Sequence, residues 1–335
     1  AAIKYLVADG RYDYIETGSL ISIRQNIKDI LIPSEEYEIK MYPMDYEEFK
    51  WAMGDTATLP LLQQFFGKRT SLGDDTNRKL MRDFRLYMLV PQAVSAYLST
   101  KSLAEVDRVK RDIIRLYDKD FIRIDPTGKA SAMFKAIPSE LTRNSSRYQV
   151  ASVTENGRAN RLLETITNMG ESMVVNMAYH ANDPGPGMAF HKDTSTFKMF
   201  VGDTGLFVTL AFWDKEFTDN VIYQKLLTDK LSKDLGYVYE NVVAQMLVAS
   251  GNELYYHTFP TESGKHRYEV DFLIPDGDKV VPIEVKSSGY KAHVSLDAFC
   301  TKFSSRVSRP YLIYTKDLRK EGNLLYLPVY MTMFL

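Results

Sequence analysis

The sequence is poor in cysteine: Cys300 is the only one among 335 residues. An internal disulfide and a zinc site built on paired cysteines are both excluded, and the usage fits a reducing, cytoplasmic compartment. Histidine is scarce as well. The five, at 180, 191, 257, 266 and 293, include no H-x-x-x-H pair that could clasp zinc from one helix face. Net charge is close to zero, at −1, so no global basic field announces nucleic acid and any such surface must be local. No run of about 18 apolar residues occurs, so no segment is long enough to cross a membrane as a helix. Internal repeats and low-complexity tracts are missing too.

Two common catalytic signatures fail. Three Gly-Lys pairs occur, Gly67-Lys68, Gly128-Lys129 and Gly264-Lys265. None has a glycine five positions before its own, and none is followed by Ser or Thr, so none forms the backbone cradle of a phosphate-binding loop. No G-x-S-x-G elbow is present. His293 and Cys300 fall seven apart on one expected helix, a spacing that reads as packing rather than as a thiol nucleophile.

What remains is an ordinary globular composition, 45% hydrophobic and 25% charged, in a chain long enough for two or three domains. The opening residues 1–7 read as a helix end inside a domain, too short and too soon charged for a signal peptide. Strands are expected over 12–17 and 39–44. Asp45 reads as a helix N-cap with Glu48 as its capping-box partner, and Tyr46, Phe49 and Met53 form that helix's apolar face. Residues 78–120 are helical in pattern. There Val106, Val109, Ile113 and Leu116 recur at helical spacing, leaving Lys110, Arg111 and Arg115 as a solvated basic face in preference to a phosphate-contacting one.

Residues 130–180 change rhythm. A short helix carries Met133, Phe134, Ile137 and Leu141. A second spans 161–169 with Gly170 as its C-cap, and a strand follows over 173–179. Helix, turn, helix and ribbon is the order of a winged helix, which either reads DNA or packs between domains. With Arg158 and Arg161 as the main basic residues of the second helix, packing is the better reading. Residues 182–187 are a breaker-rich exposed loop, and 197–210 are expected as short apolar strands.

The densest chemistry lies near the C-terminal end. Residues 235–247 form a strongly apolar helix bearing one acid, Glu240, which needs a partner because a bare buried carboxylate is costly. Glu269-Val270-Asp271 opens one apolar run, and Ile283-Glu284-Val285-Lys286 closes the next. A turn at 275–278 folds the two into a hairpin. Alternation sends Glu284 and Lys286 the same way while Ile283 and Val285 fill the core. The hairpin brings Asp271 alongside, so two carboxylates and an ammonium share a small volume. Such a pair, Asp271 and Glu284, can hold Mg²⁺, with Lys286 orienting a water or stabilising phosphate charge. The bland alternative is an ion-paired cluster with no chemistry.

Taken together, these residues resemble a family of bacterial and archaeal AAA-type P-loop ATPases with a winged-helix region and a C-terminal domain related to PD-(D/E)XK nucleases. The segment 12–19 is similar to the strand ending at the sensor-1 position, and Phe200-Val201-Gly202-Asp203-Thr204-Gly205-Leu206 to the strand entering the last domain. The motifs around Glu240, Asp271, Glu284 and Lys286 are similar to the nuclease-type core.

The resemblance implies an α/β multidomain fold. Residues 1–100 would be the later part of the ATPase module, 101–195 the winged-helix region and 196–335 the nuclease-like domain. It implies ATP contacts at Thr17 and Ser19, with Walker A and B residues preceding Ala1 in a longer polypeptide. It implies Mg²⁺ on Asp271 and Glu284, Glu240 assisting and Lys286 placing the nucleophile. Arg69, Arg78 and Arg82 become candidates for phosphate or subunit contacts. The link before Pro91 departs from the pattern, because the family has a Gly-Gly segment there. Two function classes stay open. One is an ATP-driven machine acting on DNA; the other is a nucleotide-switched sensing protein that binds a protein partner, either of them able to oligomerise.

Overall fold

The computed structural model describes residues 2–15, 37, 39–143, 146–152, 162–215, 221–228 and 236–335. Its helices are α1 (Ala2–Asp9), α2 (Tyr46–Ala52), α3 (Thr58–Lys68), α4 (Asp74–Leu89), α5 (Val94–Thr100), α6 (Leu103–Ile124), α7 (Lys129–Thr142), α8 (Leu163–Glu171), α9 (Thr204–Ala211), α10 (Val221–Leu227), α11 (Gly236–Ala249) and α12 (Val294–Lys302). The strands are β1 (Val175–Ala181), β2 (Lys192–Val201), β3 (Leu254–Pro260), β4 (Arg267–Asp276), β5 (Lys279–Lys286), β6 (Tyr311–Tyr314), β7 (Arg319–Glu321) and β8 (Leu324–Pro328). All eight join one mixed sheet in the order β2-β1-β3-β4-β5-β6-β8-β7.

The centre of that sheet is an antiparallel meander, β3-β4-β5. β6 then pairs in parallel with β5. A parallel neighbour needs a crossover, and α12 supplies it while packing on β4 and β5. The apolar helix α11 packs against β1, β2, β3 and β5. Ile283 and Val285 enter the larger core with Val243 and Leu247 of α11, whereas Val280 and Leu273 pack with Phe299 of α12 in a smaller one.

Polar clamps fix α11 and the start of α4 to their surroundings. Asn241 of α11 donates to the Val201 carbonyl at 3.0 Å and accepts from the Val201 N–H at 2.8 Å. Gln245, one turn on, accepts from the Thr204 N–H at 2.8 Å and donates to the Tyr87 hydroxyl at 3.2 Å. Asp317 accepts from the N–H groups of Leu72 (3.1 Å), Gly73 (2.7 Å) and Leu318 (2.7 Å), tying the start of α4 to the loop before β7.

Several expectations hold. The capping box at Asp45 and Glu48 is formed in both directions, with Tyr46 and Phe49 buried, although Met53 is exposed. The helices expected from Met133 to Leu141 and over 235–247 are α7 and α11.

Others are corrected. Residues 12–15 and 39–44 form no strand: Tyr12, Ile15, Ile39 and Met41 are exposed and these segments pair with no strand of the sheet. The remainder of the first expected strand, with Thr17 and Ser19, lies outside the described residues, as do Arg158 and Arg161. Gly170 is no C-cap, because α8 runs through it to Glu171. A Cβ there would stand 2.9 Å from Met177 Cγ, so its smallness serves the contact of α8 with β1. Residues 204–210 are helix rather than strand, started by Asp203, whose side chain accepts from the Leu206 N–H at 2.8 Å. In the loop 182–187, Pro184 and Gly185 are buried, with Gly185 packed on Arg306. The ribbon β1–β2 forms, but β1 also pairs in parallel with β3, so it is the margin of the large sheet. The boundary expected at 195–196 falls inside β2.

Lys110 is the largest surprise of the helical half. It is fully buried, whereas Leu116, expected inward, is 57% exposed. Its ammonium donates to Tyr223 Oη at 2.7 Å and to the Gly205 carbonyl at 3.2 Å. Asp107 completes the network, accepting from Tyr223 Oη at 2.7 Å, Thr209 Oγ1 at 3.0 Å and Arg111 Nε at 2.8 Å. Burial pushes the Lys110 ammonium down to about 8, opposed by Asp107 and Asp203.

One buried imidazole gives a testable pH dependence. His257 is 5% exposed, and its Nδ1–H donates to the Ala181 carbonyl at 2.7 Å. Burial holds the imidazole down at about 4, from an ordinary 6.5. The folded state therefore keeps the neutral ring, and stability falls as pH drops from about 6.5 towards 4. The loss is about 3 kcal/mol if the unfolded ring titrates normally. His180, stacked on it at 5.3 Å and shifted downward by its own burial, adds in the same direction. Thermal unfolding followed from neutral pH to mild acid should show a distinctly shallower decline in His257→Phe than in wild type. An unchanged slope would exclude His257 as its source.

Candidate functional site

Asp271, Glu284 and Lys286 are brought together by the meander, with one departure from simple alternation. The β4–β5 ladder runs from Asp276–Lys279 only as far as Phe272–Ile283. On its other side β4 slips against β3, so that Asp271 and Phe272 together face Tyr256. A bulge of this kind re-aims a side chain. Asp271 Oδ2 accordingly accepts from the Val285 N–H at 2.7 Å, capping the residue between Glu284 and Lys286.

Lys286 Nζ lies 2.7 Å from Glu284 Oε1. Glu284 is only 4% exposed, and its Oε2 has no hydrogen-bond partner among the described residues. Tyr256 Oη is likewise buried and unpartnered. Leaving such atoms unmatched is expensive, and a bound water, ion or ligand would satisfy them. Glu240 projects from α11 towards the same group, where Lys198, Glu269, Lys286 and Glu284 all act on its charge.

One charged member, Lys198, carries no signal in the sequence. Lys198 of β2 is 6% exposed and ion-pairs with Glu269 of β4. Its ammonium stands 5.4 Å from the centre of the Tyr256 ring. The cluster thus holds four acids, Glu240, Glu269, Asp271 and Glu284, against two lysines, Lys198 and Lys286. Burial, then Glu240 and Glu284, pushes the Asp271 carboxyl well above its ordinary range. Glu240 rises too, mainly through burial. Burial opposes the charge on both lysines, yet their acidic neighbours win, and both ammoniums are held above the usual lysine range. The physical content is an excess of negative charge in a partly buried place, which a proton or a cation relieves.

Among the described residues no group of three or more His, Cys, Asp or Glu side chains is placed to hold a metal. Any ion here would take Asp271 and Glu284 at most from that set. That suits Mg²⁺, which keeps several waters and binds through one or two carboxylates. The unpartnered Oε2 of Glu284 fits such an ion.

Residues 235–331 match the model of a domain of unknown function, DUF4143. Residues 79–216 match that of a second, DUF8612. DUF4143 is typically found in AAA-ATPase-associated proteins. It covers α11 and every acid of the cluster, while Lys198 and the Lys110 network belong to the segment covered by DUF8612, apart from Tyr223. No curated protein and no solved structure matches the chain.

The surrounding cations are mostly committed. Arg306 pairs with Asp183, Arg267 donates to the Thr258 carbonyl at 2.8 Å, and Lys302 sits 5.0 Å over Phe259. Lys265, His266 and Lys291 are exposed. On α4, Arg78 pairs with Asp75, and together with Lys79 and Arg82 they line a surface cavity of about 340 Å³. Arg69 is exposed at the end of α3. His293 stands at the N-cap of α12 without a capping side-chain bond, its ring instead 2.9 Å from Asp297 and 3.1 Å from Tyr326 Oη, and burial pushes the Cys300 thiol up to about 11, which leaves it no nucleophile.

Proposed function

We propose that the C-terminal half is a PD-(D/E)XK-type hydrolase domain, cleaving phosphodiester bonds in DNA with Mg²⁺, within a protein of the AAA ATPase class. The observation that carries the reading is the buried, unpartnered Glu284 Oε2 beside Asp271 and Lys286. The order of α11, the β3-β4-β5 meander, α12 and parallel β6 supports the nuclease-type core.

In this reading Asp271 and Glu284 hold the ion, and the Val285 N–H fixes the Asp271 carboxylate in place. Bound Mg²⁺ would polarise the phosphate and lower the pKa of a coordinated water. Lys286, tethered to Glu284, orients the nucleophilic water and offsets charge on the phosphate. Glu240 takes a proton more readily than an ordinary carboxylate, so it can accept one from that water. ATP enters only through the resemblance and the DUF4143 match, with Thr17 and Ser19 as its proposed contacts.

The competing reading, a nucleotide-switched protein that binds a partner through a silent nuclease fold, is favoured by Lys198, whose ammonium already occupies part of the cluster. The two separate on one assay. Mg²⁺-dependent cleavage of DNA by the wild type, falling at least a hundredfold in Asp271→Asn, is the expected result. No cleavage of single- or double-stranded DNA by a folded protein at millimolar Mg²⁺ would favour the silent fold.

A further inference from the structure

Resting on the metal reading above, we infer that Lys198 is a built-in counter-ion of the carboxylate cluster, competing with the divalent cation and setting its affinity. The lysine reaches the cluster from β2, at the far margin of the sheet. Its ladder partner on β1 is Ala178, whose single methyl offers no obstruction. The ammonium is nearly fully buried, so its charge is little screened by solvent. It ion-pairs with Glu269, sits near the face of Tyr256, and acts on both Glu240 and Asp271.

Charge counting gives the consequence. With all groups ionised, four acids and two lysines leave two uncompensated negative charges, which one divalent cation balances. Without Lys198 a third is exposed to the ion. Lys286 cannot substitute, because it is held on Glu284. Lys198 touches neither water nor substrate in this account; it acts through the field at Asp271 and Glu240 and through its hold on Glu269.

The test is calorimetric titration with MgCl₂ alone, on wild type, Lys198→Met, Lys198→Arg and the double variant Lys198→Met/Glu269→Gln, each checked by thermal unfolding. Lys198→Met should bind Mg²⁺ about tenfold more tightly than wild type. Lys198→Arg should stay within about threefold, and the double variant, which restores the charge count, should return towards wild type. A merely structural lysine would give weaker binding or none when removed, not tighter. If Lys198→Met does not fold, Lys198→Gln is read in its place. Wild type binding with no tightening in a folded variant overturns the counter-ion role and leaves the metal site standing. Binding by neither protein overturns the metal reading itself.

Discussion

Asp107→Ala should cost the fold about 3–5 kcal/mol, among the largest penalties for a single change in the helical half. Asp107 is 3% exposed and accepts from Tyr223, Thr209 and Arg111. Its removal strips the fully buried Lys110 of its main opposing charge and takes an acceptor from the Tyr223 and Thr209 hydroxyls. Asp203 gives partial relief at best, since burial pushes its own carboxyl up to about 6. Lys110→Met alone should also destabilise. The double variant Asp107→Asn/Lys110→Met should recover about 1–3 kcal/mol relative to the sum of its singles. Denaturant unfolding of the four proteins measures this. Strict additivity would mean that Asp107 and Lys110 do not stabilise each other.

Lys286→Met should lower Mg²⁺-dependent DNA cleavage by about 10²–10⁴-fold, the usual loss when a group that steers proton transfer or the nucleophile is removed. Mg²⁺ binding should survive it. Lys286 touches Glu284 through Oε1 only, and Oε2 is the atom available to an ion. Single-turnover cleavage and calorimetry on the same preparations separate the two effects. Parallel loss of binding and cleavage would show that Lys286 holds the site together rather than taking part in the reaction.

Much of this site is legible in the sequence. Glu284 and Lys286 alternate with Ile283 and Val285, and the strand closes as that pattern requires. The bulge is less legible, because it depends on a one-residue slip between β3 and β4 that no local spacing encodes. Lys198 was invisible for another reason. It comes from a strand far away in sequence, and an isolated lysine in an apolar run normally reads as a surface residue.

The same holds for Lys110, whose partner Tyr223 is 113 positions away. Periodicity around it was ambiguous, and the real buried face includes Val106, Lys110, Ile114 and Phe121. The segment 204–210 fails differently. A short apolar run fits strand or helix equally, and the deciding signal was Asp203, an N-cap whose side chain accepts from the residue three positions on. By contrast Asp45 and Glu48 carry a two-sided signal, which marks their helix start in the sequence.

MgCl₂ titration of wild type against Glu284→Gln by calorimetry tests the metal site most directly. Glu284 supplies the buried, unpartnered oxygen on which the site rests. Wild type should give a saturable heat that disappears in Glu284→Gln while the thermal unfolding of the variant stays cooperative. Equal heats in the two proteins, or none in wild type, would contradict it.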